Sequence, residues 1–422
     1  MSPRFAHIPR PVSDAIDPKN GTVVVVGASL AGLRACEALR EEGFEGRLVL
    51  VGAEGHLPYD RPPLSKEILQ GKWDVDKIAL RRGGLDDLRL DLRRATRATA
   101  LDAAARVVTL EGGEQLSFDG LVVATGTRPR ILEMAEGFEG VHYLRTLDDA
   151  LKLRADLEAA SVRGASRVAV IGAGFIGCEV AASCRQRGLD VTVIEPMAAP
   201  MLRALGRHIG GLAALLHRDH GVDMRCSTTP AAIEGDGRVE RIRTTDGKTI
   251  AVDVLVVGVG VTAETSWLEG SGLELEDGVV CDEFCSAGPG IVAAGDVARW
   301  KSLRRSGFQV RIEHWTHASA MGRAAALRLL RGAGGVDPFD PVPYVWTDQY
   351  GVKIQMVGHP TPDDEVHLVD GEFEDYRFVA LFARGGKLTG VVGMRRPALV
   401  MGYQAMLEDG ADIAYALAHK PQ

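Results

Sequence analysis

Two glycine-rich turns, about 145 residues apart, constrain this chain more than any other feature. Residues 23–32 read V-V-V-V-G-A-S-L-A-G, and residues 168–177 read V-A-V-I-G-A-G-F-I-G. Each opens on an unbroken apolar run, as expected of a strand covered on both faces, and passes directly into a helical pattern. In the second copy Gly172 permits a tight turn, Gly174 lets a phosphate approach the backbone, and Gly177 lets helix and strand pack closely. Gly27 and Gly32 take the outer places in the first copy, while Ser29 stands where the middle glycine is expected. We read Ser29 as a tolerated variant, because a small hydroxyl leaves room and can donate to phosphate. Leu30 and Ala31 in one copy, and Phe175 and Ile176 in the other, then open helices whose unpaired N–H groups face negative charge.

Each turn is followed by a second strand ending in an acid: R-L-V-L-V-G-A-E closes on Glu54 and V-T-V-I-E on Glu195. A carboxylate there accepts hydrogen bonds from ribose hydroxyls and repels a 2′-phosphate. A lone glycine fingerprint is weak evidence, but two copies, each with its acid, imply two bound dinucleotides. The acids favour NADH over NADPH, although Arg203 is near enough in sequence to leave NADPH open.

A length of 422 residues allows two or three domains, and a net charge of −8 argues against nucleic acid or an anionic membrane as the main partner. No apolar run approaches the roughly 20 residues of a membrane span. Residues 1–20 lack an apolar segment with a cleavage site and read as a disordered leader. The cysteines at 36, 178, 184, 226, 281 and 285 have neither redox nor metal spacing, so free thiols in a reducing cytoplasm and no metal are expected. His217 and His220, three apart in a helical stretch without a third ligand, read as surface residues.

The expected fold is α/β, with two Rossmann-like dinucleotide-binding domains, the second inserted in the first, and a C-terminal α+β domain. The first covers 21–130 and 255–332, with sheet strands near 47–52 and 105–110 and a closing strand running into Ala124, Thr125 and Gly126. The second covers 131–254, with its last strand leading to Gly260. A strand ending in Gly295 and Asp296 returns to the first domain, followed by a basic loop and a helix from about 314 to 331. After the Gly/Pro-rich linker 332–343, the rest of the 333–422 domain reads as hairpins and a helix near 398–418.

Several longer motifs carry a resemblance: H-L-P-Y-D-R-P-P-L-S-K at 56–66, Y-L-R-T-L-D-D-A at 143–150, I-G-A-G-F-I-G-C-E at 171–179, A-A-G-D at 293–296 and V-W-T-D-Q-Y-G at 345–351. From about residue 21 onward the chain resembles the FAD- and NADH-dependent ferredoxin reductases of oxygenase systems. The resemblance implies FAD on Gly27–Gly32 and Glu54, with Arg61 and Lys66 leading toward the isoalloxazine and Lys66 near flavin N5. Ala98 and Arg145 are then expected on the adenine side, Asp296 on the ribityl chain and Trp315 at the pyrimidine edge, with Glu313 and His314 also among the cofactor-binding residues. Trp315 would open a helix whose positive end favours a reduced flavin. Trp346 could stack toward the flavin or be an ordinary core tryptophan. NADH is expected on Gly172, Gly174, Phe175, Ile176, Gly177, Glu179, Glu195 and Gly260.

From the residues alone, a Pro-Pro turn sets Lys66 on the first helical turn, and Glu179 follows the second fingerprint directly. As a pair they would order the site; apart, they are two surface charges. The implied activity is hydride transfer from NADH to FAD, then electrons passed singly to a 2Fe–2S-type ferredoxin feeding a haem monooxygenase or ring-hydroxylating dioxygenase. The chain lacks cysteine spacing for its own cluster. An NADH oxidase or quinone reductase, and a dinucleotide-responsive module of the apoptosis-inducing-factor type, remain alternatives. Arg304, Arg305 and Arg311 lie in a run, 299–311, without an acid, and are the expected docking face for a small acidic ferredoxin.

Overall fold

The computed structural model describes residues 15–164 and 166–421, which group into two units. Most of the expected leader, 1–14, lies outside the described residues. Its last part is structured: Ile16 is buried and its N–H donates to the Leu329 carbonyl.

The first unit takes in chain up to Asp60, Ala79–Thr127 and Ala263–Pro341. Its six-stranded sheet runs Ser286–Gly288, Ile291–Ala293, Gly120–Val123, Thr22–Val26, Arg47–Val51 and Leu90–Arg93. All neighbours are parallel except the first pair. The valines of Thr22–Val26 are buried, which explains the continuous apolar run in a strand lying between two layers. The fingerprint helix Leu30–Glu41 packs on the helix Trp315–Arg331, so closely that a Cβ on Gly322 would lie 2.3 Å from the Ala31 carbonyl.

Two expectations for this unit change. The strand near 105–110 is Val107–Leu110, which belongs to a separate antiparallel sheet with Ala98–Asp102 and Gln115–Ser117. Its alternating burial marks one covered face, unlike the main-sheet strands. The basic loop after Asp296 is a hairpin, Ala298–Ser302 paired with Phe308–Val310.

The second unit comprises Arg61–Ile78, Arg128–Thr262 and Val342–Gln422. Its parallel sheet runs Asp223–Cys226, Asp190–Glu195, Arg167–Ile171, Val254–Val257 and Val141–Tyr143. Because Val254–Val257 pairs with Arg167–Ile171, the chain returns to the first unit at Ala263, not at 255. Two further segments join this unit. Residues 61–78 are tied by Gln70 to Ser183 (3.0 Å) and by Arg187 to the Leu69 carbonyl (2.7 Å). The C-terminal stretch, expected as a separate domain from 333, enters at Val342. It forms a five-stranded antiparallel sheet ordered Tyr344–Gln349, Val352–Gly358, Lys387–Met394, Arg377–Arg384 and Glu365–Glu372. The helix expected near 398–418 is three short ones, Pro397–Gly402, Gln404–Glu408 and Ile413–Ala418. Gly410, at φ 65°, separates the last two. No helix among the described residues is long and apolar enough to cross a membrane.

Candidate functional site

In the first unit the outer glycines of the turn are sterically required. A Cβ on Gly27, at φ 121°, would lie 2.1 Å from the Ala124 carbonyl oxygen, and one on Gly32 would lie 2.0 Å from that of Gly27. Ser29 is the N-cap of the following helix at φ −120°, an extended conformation open to any side chain, which accounts for its presence. Leu30, Ala31 and Gly32 supply the first helical N–H groups.

Glu54, just beyond strand Arg47–Val51, accepts a hydrogen bond from the Tyr59 hydroxyl at 2.5 Å. Thr125 donates to the Glu264 carbonyl (2.7 Å), and Gly126 at φ 69° turns the chain away. Asp296 sits in the turn Gly295–Val297, where Gly295 has φ 76° and a Cβ would come within 2.9 Å of the Ala31 methyl. The acid-bearing turn is thereby brought against the fingerprint helix, at the carboxyl ends of the strands where such folds bind ligands.

His314 caps the helix Trp315–Arg331, and the Trp315 indole N–H donates to Asp60 at 2.7 Å. The His314 Nδ1 is buried without a partner among the described residues, and burial pushes its pKa down to about 4. A neutral imidazole with an unused nitrogen, beside the turn and at a positive helix end, fits a polar cofactor edge. Glu313 is exposed and pairs with Arg311 (2.7 Å), whereas Ala98 lies in the small sheet, paired with Leu110.

The second unit repeats the arrangement with more open space. A Cβ on Gly172, at φ 98°, would lie 2.3 Å from the Gly258 carbonyl oxygen, and one on Gly177 would lie 2.0 Å from that of Gly172. At Gly174 an added Cβ would meet nothing within 4 Å, so this position faces a clearing. Phe175 and Ile176 open the helix Phe175–Gln186, and Gly260, at φ 101°, follows the strand Val254–Val257. Glu195 is buried, accepting from the backbone N–H of Ala173 (2.6 Å) and of Met197 (2.7 Å). These bonds hold its carboxylate at the turn without using all its lone pairs. Arg203 is exposed in the first turn of Leu202–Asp219.

Lys66 and Glu179 meet, as one of the two readings required. The ammonium lies 2.9 Å from Glu179 Oε2, with side chains only 11% and 7% exposed. Lys66 is not on the first turn of an α-helix; it caps the end of the 3-10 turn Pro62–Ser65, its backbone N–H donating to the Pro63 carbonyl at 3.1 Å. Two partners escaped the sequence reading. Ser65 donates to Glu179 Oε2 (2.5 Å) and Thr347 to Oε1 (2.7 Å). Their signal lay inside the motifs L-S-K and V-W-T-D-Q, whose other members drew attention first. Arg61 donates to the Arg145 carbonyl at 2.6 Å, and Trp346 stacks on Tyr344 with ring centroids 5.7 Å apart.

One surface expectation needs correction, and another is narrowed. His217 is fully buried, bonded to Gln349 and Tyr350, because its helix face packs on the C-terminal strand. The basic run is partly paired with acids from other segments. Arg299 pairs with Glu276, Lys301 with Glu283, and Arg311 with Asp277 and Glu313, while Arg304 donates its backbone N–H to the Asp340 carboxylate and its Nε to the Asp340 main-chain carbonyl. The six cysteines are all free, and burial pushes the Cys36 and Cys184 thiols up to about 12.

Residues 21–322 match the family model for pyridine nucleotide-disulphide oxidoreductases, and residues 344–422 match one described as reductase C-terminal. Rhodocoxin reductase of Rhodococcus erythropolis is 37% identical over 380 residues, covering 89% of this chain and 87% of that one. The ferredoxin–NAD(+) reductase component of the anthranilate 1,2-dioxygenase system of Burkholderia cepacia is 40% identical over 339 residues, covering 79% and 81%. Among solved structures, the covalent putidaredoxin reductase–putidaredoxin complex aligns with a TM-score of 0.88 at 30% identity, covering 95% of this chain and 96% of that one.

Proposed function

We propose that this chain, which belongs to the pyridine nucleotide-disulphide oxidoreductase family and within it to the ferredoxin reductases of oxygenase systems, carries electrons from NADH through FAD to a small iron–sulfur ferredoxin. The observation that carries this reading is the pair of separate dinucleotide cradles, each closed by its outer glycines and served by its own acid.

Bound FAD would accept a hydride and, unlike nicotinamide, release the electrons singly. The first cradle would hold it, with the helix N–H groups behind Gly27–Gly32 on the pyrophosphate, Glu54 on the adenosine ribose and Asp296 on the ribityl chain. His314, neutral and unpaired at Nδ1, and the positive end of the helix at Trp315 would meet the flavin's pyrimidine edge. The second cradle would hold NADH, with Glu195 accepting from its ribose hydroxyls. A 2′-phosphate would meet that buried carboxylate, which is the basis for NADH preference. The Lys66–Glu179 pair, closed off by Ser65 and Thr347, would order the nicotinamide end.

Ferredoxin docking at Arg304, Arg305 and Arg311 is narrowed by their acidic neighbours. Arg305 is exposed and has no acid paired with it among the described residues, and Phe308 stands 70% exposed on the same hairpin. An acidic partner would therefore be steered mainly by Arg305, with a modest salt dependence.

The test is reconstitution with NADH and a panel of 2Fe–2S ferredoxins. Rapid ferredoxin reduction, well above turnover with oxygen or quinones, is expected. Equal turnover with oxygen would make the chain an NADH oxidase and remove the protein acceptor.

A further inference from the structure

Glu179 is the end of a longer chain of hydrogen bonds than its pairing with Lys66 requires. Its Oε1 is met by the Thr347 hydroxyl at 2.7 Å. That hydroxyl has one hydrogen, and Glu179 takes it, so Thr347 must in turn accept from the Gln349 amide nitrogen, 3.2 Å away. With its nitrogen so used, Gln349 presents Oε1 to His217 Nε2 at 3.0 Å, and His217 Nδ1 lies 2.9 Å from the Tyr350 hydroxyl.

With His217 neutral, one assignment of hydrogens satisfies every link. Tyr350 donates to His217 Nδ1, His217 donates from Nε2 to Gln349, Gln349 donates to Thr347, and Thr347 donates to the carboxylate. His217 must be neutral for this, and burial pushes its pKa down to about 4. Thr347, Gln349 and His217 are completely buried. Such a chain is stable only when every member is satisfied, which makes it a rigid device.

Its far end is held at a local cost. Tyr350 and Gly351 form the two-residue turn between strands Tyr344–Gln349 and Val352–Gly358, with φ 54° and 74°. Turns of this type favour Asn or Gly at the first place, and a tyrosine there is strained. Tyr350 is kept in place by its bond to His217 and by stacking on His220, with ring centroids 3.8 Å apart and planes 11° from parallel.

We propose that Thr347 is a positioning residue for the nicotinamide half of the dinucleotide, holding Glu179 Oε1 in one orientation through the directed chain Tyr350–His217–Gln349–Thr347. This rests on the second cradle being the NADH site. Ser65 and Lys66 both occupy Oε2, so Thr347 alone fixes the other oxygen among the described residues, and with it the carboxylate plane. Without that hydroxyl a buried carboxylate oxygen lacks its donor, and the carboxylate must turn away.

The test compares NAD+ with ADP-ribose, which lacks the nicotinamide, by calorimetric titration of the FAD-loaded protein. Thr347→Val is expected to raise the Kd for NAD+ about ten-fold, equivalent to ~1.4 kcal/mol, and to leave that for ADP-ribose unchanged. Thr347→Ser, which restores the hydroxyl, should return NAD+ binding to within about two-fold of wild type by the same measure. An unchanged NAD+ Kd in Thr347→Val, an equal rise for both ligands, or equal impairment by Val and Ser would overturn the proposal. If Thr347→Val does not fold, Gln349→Leu takes its place, judged by the selective loss of NAD+ affinity over ADP-ribose. Failure of the wild type to bind either ligand would instead refute the NADH site itself.

Discussion

The two glycine turns differ at their middle residue, and the backbone shows why the chain tolerates it. Ser29 and Gly174 have φ of −120° and −73°, both accessible to any side chain. The first glycines are of another kind: Gly27 and Gly172 have positive φ, and a Cβ on either would lie 2.1 or 2.3 Å from a carbonyl oxygen. Gly32 and Gly177 are closed in the same way at 2.0 Å. The outer glycines keep the protein clear of itself, while the middle position of the second turn opens on free space, which in our proposal is clearance for a ligand. A self-contact in a packed layer forbids any side chain, whereas clearance for a ligand admits a small one. The acids differ too. Glu195 is held by two backbone N–H groups, one from its own glycine turn, whereas the half-buried Glu54 takes the Tyr59 hydroxyl.

The largest effects should come from alanine at the first glycine of each turn. Gly27→Ala and Gly172→Ala each drive a methyl into a carbonyl at positive φ, at a cost of about 3 kcal/mol or more. Gly27→Ala should purify without flavin absorbance near 450 nm, as an order-of-magnitude loss of cofactor binding. Gly172→Ala should keep the flavin and lose NAD+ binding in calorimetry. Simultaneous loss of both ligands in either variant would show that the turns do not act as separate sites.

Glu195→Ala sharpens the contrast between the acids. The ratio of kcat/KM for NADH over NADPH should fall by a factor equivalent to about 1.5–3 kcal/mol, the range for hydrogen bonds to a charged group. Glu54→Ala should leave that ratio unchanged, since in our proposal it serves the other dinucleotide. A wild-type enzyme using both nicotinamides equally would end the distinction.

A pH effect belongs to the second unit. His217 has a pKa of about 4 in the fold, against an ordinary value of 6.5, so the unfolded chain takes up its proton first as pH falls. Stability from this group is fully present above 6.5 and is lost as pH falls toward 4, at roughly 1.4 kcal/mol per pH unit. Urea midpoints from pH 7 down to 4.5 should therefore drop less steeply in His217→Gln than in wild type. The slope left in the variant includes His314, which burial also depresses in the first unit. Identical slopes in the two proteins would mean that His217 is not held neutral.

The smallest effects belong to the middle positions. Ser29→Gly and Gly174→Ser should each change folding stability by less than about 0.5 kcal/mol. Gly174→Ser should weaken NAD+ by less than about ten-fold, as a single clearance contact does. A loss beyond a thousand-fold would give Gly174 a role other than clearance.

Much of this was legible locally. Strand, glycine turn, helix and terminal acid follow one another within about 30 residues in each unit, and their signals are the backbone freedom of glycine and the period of apolar residues. Val107–Leu110 was misassigned to the main sheet because apolar content marks a strand without saying which strand it pairs with. The return point moved from 255 to Ala263 for the same reason.

Read alone, the chain determined that two strand–glycine turn–helix units exist, where they begin, and which acid follows each second strand, since each is built from neighbours in sequence. Only the tertiary structure decided what surrounds the charges. Lys66, Ser65 and Thr347 reach Glu179 across 113, 114 and 168 residues. His217 is buried by a strand more than a hundred residues away, and Arg299, Lys301 and Arg311 meet acids from 276–283 and 313. Contacts at such separations depend on strand register and on which faces pack, and no local periodicity encodes them. A charge run in sequence is therefore no measure of surface charge, and a lone histidine is no measure of exposure.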